Sequence, residues 1–231
     1  IFDFSEKENN VLVYDMVEAI KKAKTDEKIK GISIETDGLR AGMTQLDAVR
    51  TALQDFKKSG KFVYAYGNNV SQPAYYLGSV ADEYFLNPAG GIELKGLSTE
   101  VLYMKSFTEK FGIGTEIIRH GKYKSAVEPF MRDDMSPENK EQISTMLNDL
   151  WSNNATKIAA SRKMDVNQFK TVVDSLYGII PDLSLKYKLA NRLIQKTEYD
   201  NLLKNKLKIK EKDKLNRISF SKYIGSYEEE N

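Results

Sequence analysis

A strand, a helix and a second strand follow one another within about 38 residues, and this spacing constrains the fold more than any other feature of the sequence. Residues 29–35 alternate apolar and polar side chains and are rich in β-branched residues, which is typical of a strand. Residues 46–56 carry apolar side chains at helical spacing, and residues 62–66 form a second apolar run. Two parallel strands need a crossover of this length, so the pattern predicts a right-handed βαβ unit.

The alternation of strands and helices continues along the chain. Thr44 is predicted to cap the second helix, and Ser136 is predicted to cap a long helix that follows it. The sequence therefore predicts an α/β fold in which the C-terminal helices wrap the sheet. The further predicted helices are 11–24, 72–80, 106–111, 166–176 and 183–194, and the further predicted strands are 83–86 and 115–118.

Charge and residue usage argue against several classes of function. The 231 residues include 35 basic and 33 acidic side chains, and a net charge of +2 argues against nucleic acid as the main partner. The chain has no cysteine and a single histidine, His120, so it offers no thiolate nucleophile, disulfide or two-histidine metal site. It contains no run of roughly 18 apolar residues that would cross a bilayer.

The common catalytic patterns find little support. A serine–histidine–carboxylate triad would have to use His120, and no Gly-x-Ser-x-Gly turn accompanies it. Asp133 and Asp134 are adjacent, and neighbouring side chains rarely face one substrate, so turn or capping roles are favoured. No glycine-rich phosphate-binding loop is present, which leaves nucleotide binding unsupported.

Lys124 lies among small and apolar residues directly after a predicted strand. An ammonium group that loses its hydration favours the neutral amine, and a neutral amine can accept the proton of a serine hydroxyl. This chemistry would support a Ser/Lys dyad. Most lysines are solvated, however, so the pattern alone favours an ordinary solvated lysine.

Residues 123–130 read Tyr-Lys-Ser-Ala-Val-Glu-Pro-Phe, and residues 132–137 read Arg-Asp-Asp-Met-Ser-Pro. This run closely resembles the catalytic-lysine motif of the signal peptide peptidase A (protease IV) family. The resemblance extends over nearly the whole chain, in family order, through the runs at 60–61, 70–72, 75–77, 86–88, 96–97 and 102–106.

The resemblance implies a ClpP/crotonase-like superhelix of ββα repeats and a serine peptidase that cleaves signal peptides with a Ser/Lys dyad. Lys124 matches the general base, and no metal or cofactor is implied. Long members of the family carry two tandem copies of the fold, and this chain resembles the first. Residues 1–224 are then the lysine-bearing domain, inactive on its own, and 225–231 are a linker or the end of an excised segment.

The position of the nucleophile departs from the family pattern. Short members have Ser-Gly-Gly-Tyr there, whereas this chain has Ser71-Gln72-Pro73-Ala74 before two tyrosines, and alignment on the tyrosines places Gln72 at the nucleophile. Ser71 is one residue away, and capping of the following helix is its alternative role. Ser125 adjoins the lysine and is interpreted as structural. We therefore expect the catalytic serine to come from a downstream domain.

Other family features map onto nearby residues. The turn 38–42 corresponds to the oxyanion-binding turn, although Gly38 and Gly42 also suit turn geometry alone. Glu128 is expected to orient the lysine loop, and Arg132 and Asp133 are expected to pair, with surface salt bridging as the alternative.

The resemblance also implies partners and a location. These are peptide substrates, a downstream serine-bearing domain, a tetramer-like ring of identical chains, and the extracytoplasmic side of the bacterial cytoplasmic membrane, with the anchor outside these residues. The alternative is a non-catalytic assembly and peptide-binding scaffold. Separately, lysine occupies every second position from 204 to 214, which on an extended segment would form either a solvated face or a surface for an anionic membrane or partner.

Overall fold

A computed structural model describes residues 2–3, 12–39, 41–118, 120–121, 124–210 and 212–228. The chain divides into two compact units. The sheet unit comprises Ile1–Lys95 and Ala155–Asn231, and the insertion unit comprises Gly96–Asn154. The expected single domain over 1–224 stays a prediction.

The sheet unit contains a six-stranded parallel sheet. Its strands are β1 (Phe2–Asp3), β2 (Gly31–Glu35), β3 (Phe62–Val70), β4 (Glu83–Ile92), β5 (Arg192–Leu193) and β6 (Ile218–Ser219), in the spatial order β5-β4-β3-β2-β1-β6. β2 and β3 pair in parallel from Gly31 opposite Phe62 to Glu35 opposite Tyr66, which confirms the predicted parallel pairing of these strands.

Ten helices lie in the described part of the chain. They are α1 (Val13–Thr25), α2 (Met43–Lys57), α3 (Gln72–Gly78), α4 (Lys105–Lys110), α5 (Glu128–Met131), α6 (Pro137–Ser161), α7 (Val166–Asp174), α8 (Pro181–Lys186), α9 (Lys196–Lys206) and α10 (Phe220–Glu228). The predicted cap of α6 is confirmed, because the Ser136 hydroxyl accepts a hydrogen bond from the Asn139 amide at 3.1 Å. α10 crosses residue 225, where the sequence places the start of a linker.

Side chains on both faces of the sheet are buried. On one face, Tyr66 stacks on Tyr199 of α9 with ring centroids 5.0 Å apart. On the other face, Ala65 lies against Gly78 of α3. The buried hydroxyls of Tyr199 and Ser33 share a hydrogen bond of 2.8 Å. A parallel sheet covered on both faces explains why the first five residues of β3, 62–66, are all apolar or aromatic and all buried.

Three local predictions are wrong. α2 begins after Gly42 and not at Thr44, because the Gln45 side chain accepts a hydrogen bond from the Gly42 amide at 3.0 Å. Residues 115–118 form no strand, since β-propensity needs a partner strand and Ile118 is 96% exposed. The predicted helix 183–194 ends at Lys186 and is followed by β5, while the two-residue β1 was not predicted at all.

The buried side chain of Arg50, on α2, joins three helices. Its guanidinium donates to the Tyr76 carbonyl and, at 2.9 Å, to the Ser79 hydroxyl at the end of α3. It also donates to the Lys157 carbonyl at 2.8 Å and to the Ser161 hydroxyl at 2.5 Å in the last turn of α6. Carbonyls in a last helical turn lack partners within the helix, so one cation satisfies the ends of two helices.

We expect Arg50→Met to lower the free energy of unfolding by about 3–5 kcal/mol, because it leaves several buried acceptors without donors. Arg50→Lys should fall between the wild type and Arg50→Met, since a lysine keeps the charge and loses the planar fork. Urea unfolding followed by circular dichroism measures both. Arg192→Met, at an exposed arginine on β5, is the matched control. An equal loss for Arg50→Met and Arg192→Met would contradict the role of Arg50.

Candidate active-site elements

Lys124 lies in the insertion unit at the start of a short helical segment. Its backbone has φ −91° and ψ 78°, and a single 3-10 turn, Ser125–Val127, leads directly into α5. The Lys124 side chain is exposed. Because α5 begins only four residues after Lys124, whatever holds Glu128 also sets where the lysine backbone lies.

Glu128 is fully buried, and both of its carboxylate oxygens accept hydrogen bonds. The Ser136 amide donates at 3.2 Å and the Ser136 hydroxyl at 2.5 Å, while the Asn139 side-chain amide donates at 3.1 Å. These donors form the first turn of α6, where free N–H groups and the helix dipole favour a negative charge. Glu128 therefore fixes the segment that follows Lys124 onto the start of α6.

The expected pairing of Arg132 with Asp133 is wrong. Arg132 forms its ion pair with Asp134, at 3.0 Å, across one intervening residue. Asp133 instead accepts hydrogen bonds from the Ser106 amide at 3.0 Å and the Ser106 hydroxyl at 2.5 Å. These two bonds lower the pKa of Asp133 below its ordinary value and tie α4 to the segment after α5.

The predicted nucleophile region lies in the sheet unit, at the start of α3. Ser71 occupies the N-cap position, and its carbonyl accepts from the Tyr75 amide at 2.8 Å, but its side chain makes no capping hydrogen bond. The side-chain oxygen of Gln72 accepts from the Lys95 amide at 3.0 Å. Gln72, at the position where the sequence analysis expects the nucleophile, thus binds the backbone after β4 through its side-chain amide.

The turn 38–42 is bound on both sides by side chains. Gly38 has φ +70°, which suits glycine, and the Gly42 N–H is already committed to the α2 cap. Asp37, just before the turn, accepts from the Asn68 and Asn69 amides, each at 2.8 Å. The Asp37 carboxylate was not singled out from the sequence, although its place in an Asp-Gly turn after a strand was the available signal.

β4 bulges at this edge of the sheet. Gly67 pairs with Leu86 and Asn69 pairs with Gly91, so residues 87–90 lie opposite Asn68 alone. Any Cβ at Gly90 would lie 2.1 Å from the Asn68 carbonyl oxygen, so the site accepts only glycine. Asp37, Asn68 and the bulge residue Asn87 are joined by hydrogen bonds between their side chains. They form a polar edge of the sheet near the carboxyl ends of β2, β3 and β4.

Neither a cluster of metal-ligating side chains nor a membrane-spanning helix occurs within the described ranges. The residues placed there form no group of three or more His, Asp or Glu side chains that could hold a metal ion. None of the helices there is both long enough and apolar enough to cross a membrane.

Known proteins resemble this chain over most of its length. Protease 4 of Salmonella typhi is 37% identical over 187 residues, which are 79% of this chain and 30% of that protein. Protease 4 of Haemophilus influenzae is 33% identical over 222 residues, or 93% and 36%. The chloroplastic serine protease SPPA of Arabidopsis thaliana is 32% identical over 211 residues, or 88% and 30%. The chain spans about a third of the length of these relatives.

The profile of Peptidase family S49 matches residues 55–212, which is more than half of the chain. The match includes the start of α3, the segment from Lys124 to Glu128 and the first turn of α6. This chain belongs to peptidase family S49.

Proposed function

We propose that this chain is the N-terminal, lysine-bearing half of a serine endopeptidase that degrades cleaved signal peptides, and that Lys124 is its general base. The observation that carries the proposal is the contrast between two positions of the family pattern. Lys124 begins an exposed segment that buried Glu128 anchors, whereas Gln72 occupies the nucleophile position. A chain with the base and without the nucleophile needs a serine from a downstream domain.

The proposed reaction is acyl transfer in two steps. The neutral Lys124 amine accepts the proton of the serine hydroxyl while the serine oxygen attacks the scissile carbonyl. The protonated amine then gives that proton to the departing peptide amine, which leaves an acyl-enzyme. In the second step the amine accepts a proton from a water molecule that attacks the ester and returns it to the serine oxygen.

The exposure of Lys124 makes a second surface necessary in this proposal. An ammonium group favours its neutral form when water is removed from around it, and Lys124 is exposed in this chain. The serine-bearing domain, from the same chain or from a neighbouring chain, is the surface that would cover it. The same proposal assigns the parallel sheet to a ClpP/crotonase-like superhelix.

Exposed apolar side chains in the insertion unit support assembly into a ring of identical chains. Isolated exposed apolar residues are common, but several within 59 residues favour a contact surface. We propose that they line contacts between copies, in a tetramer-like ring on the extracytoplasmic side of the bacterial cytoplasmic membrane. Among the described residues of the insertion unit, the large apolar side chains that are at least 50% exposed are Leu102, Phe107, Phe111, Ile113, Ile118, Met146 and Leu150.

These same exposed residues would also suit the alternative function, a non-catalytic scaffold that builds the assembly and binds peptide. In that case Lys124 has no chemical role. The two functions differ in what removal of the Lys124 amine does to peptide hydrolysis.

We expect Lys124→Ala in the full-length protein to lower kcat for a fluorogenic signal-peptide-like substrate by about 10²–10⁴-fold, the usual contribution of a general base. Lys140→Ala, at an exposed lysine on α6, is the matched control and should retain activity. The size of the assembly, measured by light scattering, should not change. If Lys124→Ala hydrolyses the substrate as fast as Lys140→Ala, the scaffold function replaces the catalytic one.

Ser71→Ala should leave the activity of the full-length protein unchanged, since Ser71 precedes the nucleophile position and its carbonyl serves α3. Progress curves with the same substrate measure this directly. A loss comparable to that of Lys124→Ala would instead make Ser71 the nucleophile and this chain a complete peptidase.

We expect Glu128→Gln to act as a loss of positioning, with kcat reduced about 10–100-fold and KM little changed, because one of its amide hydrogens would face a donor of Ser136 or Asn139. Asp134→Asn removes an exposed carboxylate nearby and is the control. Unfolding in urea separates the two possible causes. A Glu128→Gln protein that is less stable but keeps its kcat would show that Glu128 is structural only.

A further inference from the structure

Positive charge is concentrated in one short segment of the sheet unit, residues 204–214, here called the lysine segment. It contains six lysines with Glu211 and Asp213, and so carries a net charge of +4. The whole chain carries +2, which leaves the other 220 residues with a net charge of −2. The lysine segment is therefore a local basic patch on an otherwise weakly acidic chain.

The lysine segment is not extended, so its lysines do not share the single face that an extended segment would give them. α9 continues to Lys206 and ends in a Schellman motif, in which the Ile209 amide donates to the Lys204 carbonyl at 2.9 Å. Lys208 has φ +57°, in the left-handed region that this motif requires. A second turn follows, closed by the Asp213 amide on the Lys210 carbonyl at 2.9 Å. Two turns keep the ammonium groups on a compact stretch of chain.

Apolar residues within the segment and directly after it attach it to the core. Leu207 and Leu215 pack against the aromatic cluster of the sheet face that includes Tyr64 and Phe85. Lys206 lies over the Tyr64 ring, 5.9 Å from its centroid, and so belongs to this packing. The segment is thus attached to the core of the sheet unit.

Five lysines of the segment are exposed; apart from Lys206, which lies over the Tyr64 ring, these are Lys208, Lys210, Lys212 and Lys214. Among the residues that the structure places, none of the four has a carboxylate within ion-pair distance. Their α-carbons span no more than about 20 Å of chain, so adjacent charges lie within about one Debye length at physiological salt and their potentials add. A ligand with many negative charges over a similar width would bind all four at once.

We propose that the lysine segment docks this chain onto an anionic lipid bilayer through the phosphates of the lipid headgroups. The composition favours a bilayer over a protein partner. The segment contains lysine and neither arginine nor aromatic residues, whereas protein interfaces are enriched in arginine and aromatics and depleted in lysine. Lysine is a strongly hydrated point charge, which suits a fluid and hydrated headgroup surface. This docking does not depend on the proposed peptidase activity.

The apolar residues of the segment determine the mode of binding. Leu207, and Leu215 directly after the segment, pack on the core, and Ile209 is half-buried, so attraction between charges supplies the binding. Such attraction is screened by salt. Binding should therefore weaken steeply between low and high ionic strength, and it should be absent on a zwitterionic bilayer.

The test is sedimentation of the 231-residue chain with vesicles of phosphatidylglycerol and phosphatidylcholine, against vesicles of phosphatidylcholine alone. The variant carries Lys→Gln at positions 208, 210, 212 and 214. The matched control carries Lys→Gln at four other exposed positions, 28, 110, 140 and 170, and so has the same net charge. Circular dichroism verifies that both variants are folded.

The wild type and the matched control should sediment with the anionic vesicles, and the segment variant should bind on the order of a thousand-fold more weakly. Equal weakening of both variants would mean that overall charge, and not this segment, directs binding. No sedimentation of the wild type at low salt would overturn the proposal. Tighter binding to polyglutamate than to the anionic vesicles would overturn it in favour of an acidic protein partner.

Discussion

The buried guanidinium of Arg50 is the interaction on which the helical layer of the sheet unit depends. The Arg50 guanidinium donates hydrogen bonds to carbonyls near the ends of α3 and α6. Its central carbon also lies 4.7 Å from the centroid of the Tyr76 ring. No neutral side chain could supply that many donors in one plane. The cation places α2, α3 and the last turn of α6 at fixed distances, and α3 in turn presents Ser71 and Gln72 at the carboxyl edge of the sheet.

Two carboxylates, one in each unit, organise the backbone around them in the same way. Asp37 accepts hydrogen bonds from the amides of Asn68 and Asn69 at the end of β3. Glu128 accepts hydrogen bonds from Ser136 and Asn139 at the start of α6. Each converts a loop into a fixed segment, because a charged acceptor forms stronger hydrogen bonds than a neutral one. The family motif around Lys124 therefore contains its own support four residues downstream.

The two units distribute their polarity differently. The sheet unit buries its aromatic side chains between sheet and helices and concentrates its positive charge at the end of α9. The insertion unit leaves several large apolar side chains in contact with water and exposes Lys124. A covering partner would remove both the exposed apolar surface and the exposure of Lys124, which is why the proposed function places another domain or copy there.

Local patterns in the sequence determined the parallel βαβ unit, the cap of α6 and the motif that contains Lys124, because hydrophobic period, capping residues and a long specific motif are properties of neighbouring residues. Tertiary structure decided the rest. It left residues 115–118 without a partner strand, paired Arg132 with Asp134, and brought Ser136 to Glu128. It also folded the lysine segment into two turns, although lysine occupies every second position there. Leu207 and Leu215 pack on the core, and this packing does not require an extended chain. Such outcomes depend on which distant groups meet, and no window of sequence contains that information.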